Sequence, residues 1–131
     1  MSSNDAPLFR VLDLSFAEAL ARVPLALKSE GFGILTSIDV QATMKAKLGA
    51  DLAPYTILGA CNPKMAFEAL GIDPTVGVNL PCNVVVRELG ERQIEVRAVD
   101  PVQTIAGAGR SNLTALASQV REMLARAIAS V

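Results

Sequence analysis

Hydrophobic residues follow a strand-like pattern in some parts of the chain and a helical period in others. Residues 8–14 form a short, mostly apolar run that predicts a first strand. The next apolar residues recur every three or four positions, as in an amphipathic helix whose buried stripe consists of Phe16, Leu20, Val23 and Leu27. Ser15 and Glu18 form the capping box that begins this helix, and Gly31 is a typical stop. Pro24 lies inside the pattern and is expected to kink the helix or to end it early.

The middle of the chain twice repeats the order of a strand followed by a helix. Apolar and polar residues alternate over 34–40, which predicts a second strand, and Asp39 is placed to cap the helix after it. Residues 55–60 predict a third strand, and Asn62 followed by Pro63 is a typical N-cap and first position of the next helix. The side chains expected to face the core are Val40, Met44 and Leu48 in the first of these helices and Met65, Ala66 and Leu70 in the second.

The last third of the chain predicts a hairpin, a connection and a long helix. Residues 82–89 and 93–99 are separated by a short loop at Gly90, which predicts two antiparallel strands. The charged residues expected to pair across the hairpin are Arg87 and Glu88 on one arm and Glu95 and Arg97 on the other. The glycine-containing stretch 103–112 predicts a flexible connection rather than a phosphate cradle. A last helix is expected over 113–131, with an apolar stripe made of Leu113, Leu116, Val120, Leu124 and Ile128.

The predicted order of elements is β-α-β-α-β-α-β-β-α within one domain that spans residues 1–131. Because the closing hairpin must be antiparallel, a doubly wound parallel sheet is not expected. The pattern favours the α+β class, with helices mostly on one face of an antiparallel or mixed sheet.

Composition and charge narrow the possible functions. The chain is 51% hydrophobic and 19% charged, which excludes disorder, and no apolar run approaches the roughly 18 residues that span a membrane. A net charge of −1 and an aromatic content of 4% argue against a nucleic-acid partner. The first ten residues do not have the basic and apolar regions of a signal peptide, so we expect a cytoplasmic protein with reduced cysteines. A mean hydropathy of +0.39 predicts a homodimer that covers apolar surface.

Each of the two cysteines has a functional and a structural interpretation. Cys61 lies just before the N-cap of a predicted helix, where the helix dipole can lower a thiol pKa and produce a usable thiolate. Cys82 follows Pro81 at the start of a strand and could supply a second thiol or metal ligand near Cys61. Free cysteine is also among the most buried residue types, so either side chain could simply fill space in the core.

The two cysteines are each followed by an asparagine, in the pairs Cys61-Asn62 and Cys82-Asn83. If the two strands are neighbours, these four side chains are expected to line one pocket. Two thiolates can bind a soft metal such as Cu(I), with Cys61 and Cys82 as ligands. A closed zinc site needs about four nitrogen or sulfur ligands, and the chain has no histidine, so zinc would require two chains to share a site. The missing histidine also excludes Ser-His-Asp and Cys-His catalysis.

Three segments resemble a known family. They are residues 31–40 (GFGILTSIDV), residues 57–63 (ILGACNP) and residues 80–86 (LPCNVVV), in that order. They are similar to the bacterial and archaeal family called domain of unknown function 302, and the resemblance covers roughly residues 10–102. It implies a TBP-like α+β fold with a curved, mostly antiparallel sheet, and it makes a homodimer a reasonable expectation. A TBP-like shape does not imply DNA binding.

The resemblance also carries over the site candidates and leaves the activity open. The motifs place Cys61, Asn62, Cys82 and Asn83 at the candidate site, whereas the tail after residue 101 departs from the family pattern. The leading hypothesis is a small binding domain whose pocket takes a soft metal ion, a haem-like group or a thiol-reactive small molecule. One alternative is an enzyme with Cys61 as a nucleophilic or redox thiol. Another is a structural or oligomerisation domain in which both cysteines fill the core.

Overall fold

One antiparallel sheet of five strands organises the part of the chain that the computed structural model describes, residues 6–107 and 109–131. The strands are β1 (Phe9–Leu12), β2 (Gly33–Asp39), β3 (Tyr55–Cys61), β4 (Cys82–Gly90) and β5 (Gln93–Ala98). They lie side by side in the order β1-β5-β4-β3-β2, and every neighbouring pair is antiparallel. The first five residues, which belong to the stretch considered as a signal peptide, and Ala108 of the glycine-containing connection lie outside the described residues.

Four α-helices alternate with the strands in the predicted order. They are α1 (Phe16–Ser29), α2 (Val40–Leu48), α3 (Pro63–Ile72) and α4 (Thr114–Ala129). Short 3-10 segments cover Pro74–Asn79 and Ser111–Leu113. The order β-α-β-α-β-α-β-β-α and the TBP-like α+β class are therefore confirmed. Among the described residues, none of the helices has the length and apolar character of a membrane span.

Local capping chemistry explains where α1 begins, and tertiary packing explains why it continues. Ser15 Oγ accepts a hydrogen bond from the Glu18 backbone N–H at 3.1 Å, and Glu18 Oε1 accepts one from the Ser15 N–H at 3.0 Å. This reciprocal pair confirms the predicted capping box. The prediction that Pro24 ends the helix early is wrong, because α1 runs on to Ser29. Val23 and Leu27 are fully buried on either side of the proline, and this packing holds the helix together.

The core lies between the sheet and the helices α1 and α4. All five residues of the predicted α4 stripe are buried, which confirms that prediction (Leu113, Leu116, Val120, Leu124 and Ile128). On the sheet side of the core, α1 packs against β4 and α4 packs against β5, and the buried alternate residues of these strands are Val84, Val86, Ile94 and Val96. Fully burying each such aliphatic side chain contributes roughly 1.5–3 kcal/mol. This face of the sheet supplies most of the stability of the fold.

The inward residues predicted for the two middle helices are partly wrong. No residue of α2 is buried, and Leu48 is 76% exposed, because this helix packs mainly against the ends of the edge strand β2 and of β3. In α3 the buried position is Ala69, while Leu70 is 41% exposed. The inward side of α3 is formed by Met65, Ala66 and Ala69, and Leu70 lies at its margin.

The connection after β5 is more ordered than its glycines suggested. A π-helical turn covers Val102–Ala106, inside the stretch predicted to be flexible. Asp100 Oδ1 accepts a hydrogen bond from the Val102 N–H at 3.0 Å, and the side chain of Ile105 is buried in the core. The buried isoleucine fixes the turn, so the prediction of a flexible connection is wrong for this part.

The second face of the sheet, here called the open face, is defined by Phe9, Val11, Val85, Glu95 and Arg97. These residues alternate along their strands with the core residues. Phe9 and Val11 are 46% and 52% exposed. The predicted pairing across the hairpin is confirmed for Arg87 and Glu95, which lie opposite each other with hydrogen bonds at 3.3 Å. Glu88 lies opposite Ile94 instead, and Arg97 donates to Glu95 within its own strand at 3.0 Å. The Arg97 guanidinium also stacks on the Phe9 ring, 4.2 Å from its centre.

Candidate functional site

A small cavity lies where β3 ends, β4 begins and α3 leaves the sheet. Its volume is about 20 Å³, which is room for one or two water-sized atoms. Cys61 and Cys82 are both among the residues that line it. The apolar walls come from elements far apart in the chain, including Phe32, Ala60, Leu80, Ile105, Leu116 and Val120.

The register of the central strands explains why the two cysteines meet. β3 and β4 are antiparallel neighbours, and Ala60 lies directly opposite Cys82. Cys61 follows Ala60 as the last residue of β3, where the chain turns towards α3, and it is among the residues that line the cavity beside Cys82. Two motifs separated by about twenty positions are thereby brought to one cavity.

Asn62 also lines the cavity, and both polar atoms of its side chain bind backbone groups. Its Oδ1 accepts a hydrogen bond from the Met65 N–H at 3.2 Å, which caps α3 as predicted. Its Nδ2 donates to the Glu30 carbonyl at 3.4 Å, at the end of α1. Gly31 permits this contact, because a Cβ there would lie 2.9 Å from Nδ2 and its φ is +87°. The structure therefore gives Asn62 a positioning role.

Asn83 does not line the cavity, which corrects the expectation that all four residues meet there. It lies opposite Gly59 inside the ladder between β3 and β4, and its side chain is exposed. Successive residues of a strand point to opposite faces, so Asn83 faces away from the side that carries Cys82. It contributes instead to a separate surface depression beside Pro81 and Val99.

Burial determines the protonation of both thiols. Burial raises the pKa of Cys61 above its ordinary value, and this is opposite to the lowering expected at a helix N-terminus. Burial, reinforced by the neighbouring Cys61, raises the pKa of Cys82 to about 11. Both side chains are therefore thiols at neutral pH.

One chemically relevant residue of this cavity was predicted only as part of the core. Met65 was expected to face inward, and it is among the lining residues of the cavity together with both cysteines. The available signal was its place three residues after Asn62, which puts it in the first turn of α3 on the inward side. Within the described ranges, no group of three or more His, Cys, Asp or Glu side chains could bind a metal ion. A closed zinc site with about four such ligands is thus not formed by these residues.

Comparisons with known proteins agree with this architecture and cover nearly the whole chain. The sequence matches the family described as "Domain of unknown function DUF302" over residues 9–131, so the match includes the tail beyond residue 102. The crystal structure of an uncharacterized conserved DUF302 protein from Bacillus stearothermophilus superposes with a TM-score of 0.84 at 26% identity, covering 93% of this chain and 96% of that one. No curated protein matches. The chain belongs to the DUF302 family.

Proposed function

We propose that this protein binds a single soft metal ion, with Cu(I) as the reference ion, between the thiols of Cys61 and Cys82. The observation that carries the proposal is that both cysteines of the chain line one small cavity with otherwise almost entirely apolar walls. Thiolate and thioether sulfur atoms are the ligands that select Cu(I) over harder ions.

The size of the cavity supports an ion rather than the larger ligands considered above. Pockets for organic ligands usually have volumes of roughly 300–1,000 Å³, whereas this cavity measures about 20 Å³. A haem-like group would require the walls of the core to separate. A single ion needs only the space between the side chains that bind it.

The raised thiol pKa values favour this proposal over the alternative of a cysteine-dependent enzyme. A nucleophilic or redox-active cysteine needs a lowered pKa or an adjacent base, and burial raises the pKa of both thiols here. Metal binding displaces thiol protons, so the affinity for Cu(I) is expected to increase with pH. The thiols must also stay reduced, which supports the cytoplasm as the compartment.

A competition titration tests the proposal. The protein is titrated anaerobically against a chromophoric Cu(I) chelator at pH 7.5, and we expect one ion bound per chain. Cys61→Ser and Cys82→Ser should each weaken Cu(I) binding by at least about a hundredfold, because each removes one sulfur ligand. Asn83→Ala is the matched control, since it changes the residue next to Cys82 on the opposite face. Absence of binding by the wild type, or unchanged binding by the double serine variant, would overturn the proposal.

We also propose that two copies associate through the open face of the sheet. Phe9 and Val11 are half-exposed there, the mean hydropathy of the chain is +0.39, and exposed apolar patches mark interfaces. Sedimentation equilibrium should give twice the chain mass of 13.7 kDa. Val11→Lys places a cation opposite Glu95 and should give a folded monomer, whereas Leu48→Lys on α2 should stay dimeric. A monomeric wild type would contradict this proposal.

A further inference from the structure

The cavity contains a donor set made of sulfur. Both cysteines and one of the four methionines, Met65, line it. Among the described residues, Asn62 is the one lining side chain with oxygen or nitrogen atoms, and its hydrogen bonds to backbone groups engage both of them. The lining therefore offers three sulfur-containing side chains among hydrocarbon walls.

Backbone hydrogen bonding fixes the position from which Met65 reaches the cavity. Its N–H donates to the capping oxygen of Asn62 at 3.2 Å, and Asn62 is itself held by the Glu30 carbonyl at 3.4 Å. Met65 is half-buried and packs against the core. The first turn of α3 is thus anchored to the end of α1, and this fixes the backbone position of Met65.

Charge explains why a thioether suits this cavity as a third ligand. Cu(I) held by two thiolates carries one net negative charge, and the described lining residues include no cation to balance it. A third thiolate or a carboxylate would add to that charge, which an apolar environment strongly disfavours. A thioether is neutral, so it adds a donor atom without adding charge.

We infer that Met65 supplies the third sulfur ligand and that the cavity is a three-sulfur site selective for soft monovalent ions, Cu(I) or Ag(I). This inference rests on the proposed function, because it concerns the same two cysteines. Thioether sulfur is a soft donor that suits Cu(I) and contributes little to harder divalent ions. Met65 therefore determines the preference for Cu(I) over Zn(II).

Met65→Leu tests the inference, because leucine conserves volume and apolar character but removes the sulfur. Met123→Leu is the matched control, since Met123 is also half-buried against the core but does not line the cavity. X-ray absorption spectroscopy of the Cu(I) protein should show three sulfur neighbours in the wild type and in Met123→Leu, and two in Met65→Leu. The affinity of Met65→Leu for Cu(I) should fall by about tenfold or more, with its Zn(II) affinity unchanged.

The possible failures are distinguishable. A wild type that binds no Cu(I) in the competition titration overturns the proposed function and this inference together. A wild type that binds Cu(I) through two sulfurs, with affinity unchanged in Met65→Leu, overturns the inference alone. Thermal unfolding of the two leucine variants should give similar midpoints, so that a lower Cu(I) affinity in Met65→Leu reports the lost sulfur.

Discussion

Two Cys-Asn pairs lie at the same end of neighbouring strands, and only one of them keeps both residues at the cavity. Cys61 ends β3 and Asn62 caps α3, so the chain leaves the sheet between them and both side chains reach the cavity. Cys82 and Asn83 both belong to β4, and strand alternation sends them to opposite faces. At the strand-to-helix junction, both residues of the Cys-Asn pair therefore line the cavity. Within a strand, the two residues of the same dipeptide lie on opposite faces of the sheet.

The largest expected difference between the two pairs is in thiol reactivity. With a pKa of about 11, roughly one Cys82 side chain in a thousand is a thiolate at pH 8. Its side chain is also 5% exposed, so labelling by an alkylating reagent should be at least about a hundredfold slower than in the unfolded chain. Cys61, which is half-buried, should react faster than Cys82. Peptide mass spectrometry of the time course measures both rates, and equal rates would contradict this comparison.

The buried thiol also predicts a pH dependence of stability. Because the folded-state pKa of Cys82 lies above the unfolded value, the thiol stabilises the fold below about pH 9, and this stability is lost as the pH rises through about 11. The loss should be of the order of 2 kcal/mol in the free energy of unfolding. Urea unfolding between pH 8 and 11 should show a smaller decrease in Cys82→Ala. Parallel pH profiles in the two proteins would contradict the role of burial.

The contact that holds the Cys61-Asn62 junction depends on a glycine. Gly31→Ala should destabilise the fold by about 1–2 kcal/mol, because alanine disfavours a φ of +87° and its Cβ would contact Asn62 Nδ2. Gly33→Ala is the matched control, since a Cβ there meets no atom within 4 Å and its φ is not positive. Chemical denaturation measures both, and equal free energies of unfolding for the two variants would refute the contact.

The smallest effects concern the two asparagines themselves. Asn62→Ala removes the cap of α3 and should cost about 1 kcal/mol in the free energy of unfolding. Asn83→Ala changes an exposed side chain on the other face and should stay within about 0.5 kcal/mol of the wild type. Asn62→Ala should therefore have a lower free energy of unfolding than Asn83→Ala, and the reverse order would contradict the different roles of the two asparagines.

Local rules in the sequence predicted most of the fold because they act over a few residues. The capping box at Ser15, the cap at Asn62 and the stripe of α4 each follow from spacing alone. The exposure of α2 and the π-helical turn at Val102–Ala106 depend on where the sheet ends and on the burial of Ile105. Both features arise from long-range packing, which the local periodicity of the sequence does not predict.

The candidate site could be predicted only in part, for a related reason. The family motifs indicated Cys61 and Cys82, and the strand register then brought them together. The predicted strand over 82–89 already implied that Asn83 faces away from Cys82, so the expectation that both line one pocket neglected strand alternation. The sequence pattern predicted Met65 only as one apolar core position among several, because nothing in its own segment indicates that two cysteines line the same cavity. A donor set shared by two strands and a helix becomes visible only in three dimensions.

The most direct test of the central claim is a crystal structure of the protein grown with Ag(I), which has the soft character of Cu(I) and resists oxidation. We expect one anomalous scattering peak per chain, inside the cavity and within bonding distance of the sulfur atoms of Cys61 and Cys82. The same peak should be absent from the Cys61→Ser/Cys82→Ser variant. An empty cavity in the wild type, or silver bound only elsewhere on the protein, would contradict the claim that these two cysteines form a soft-metal site.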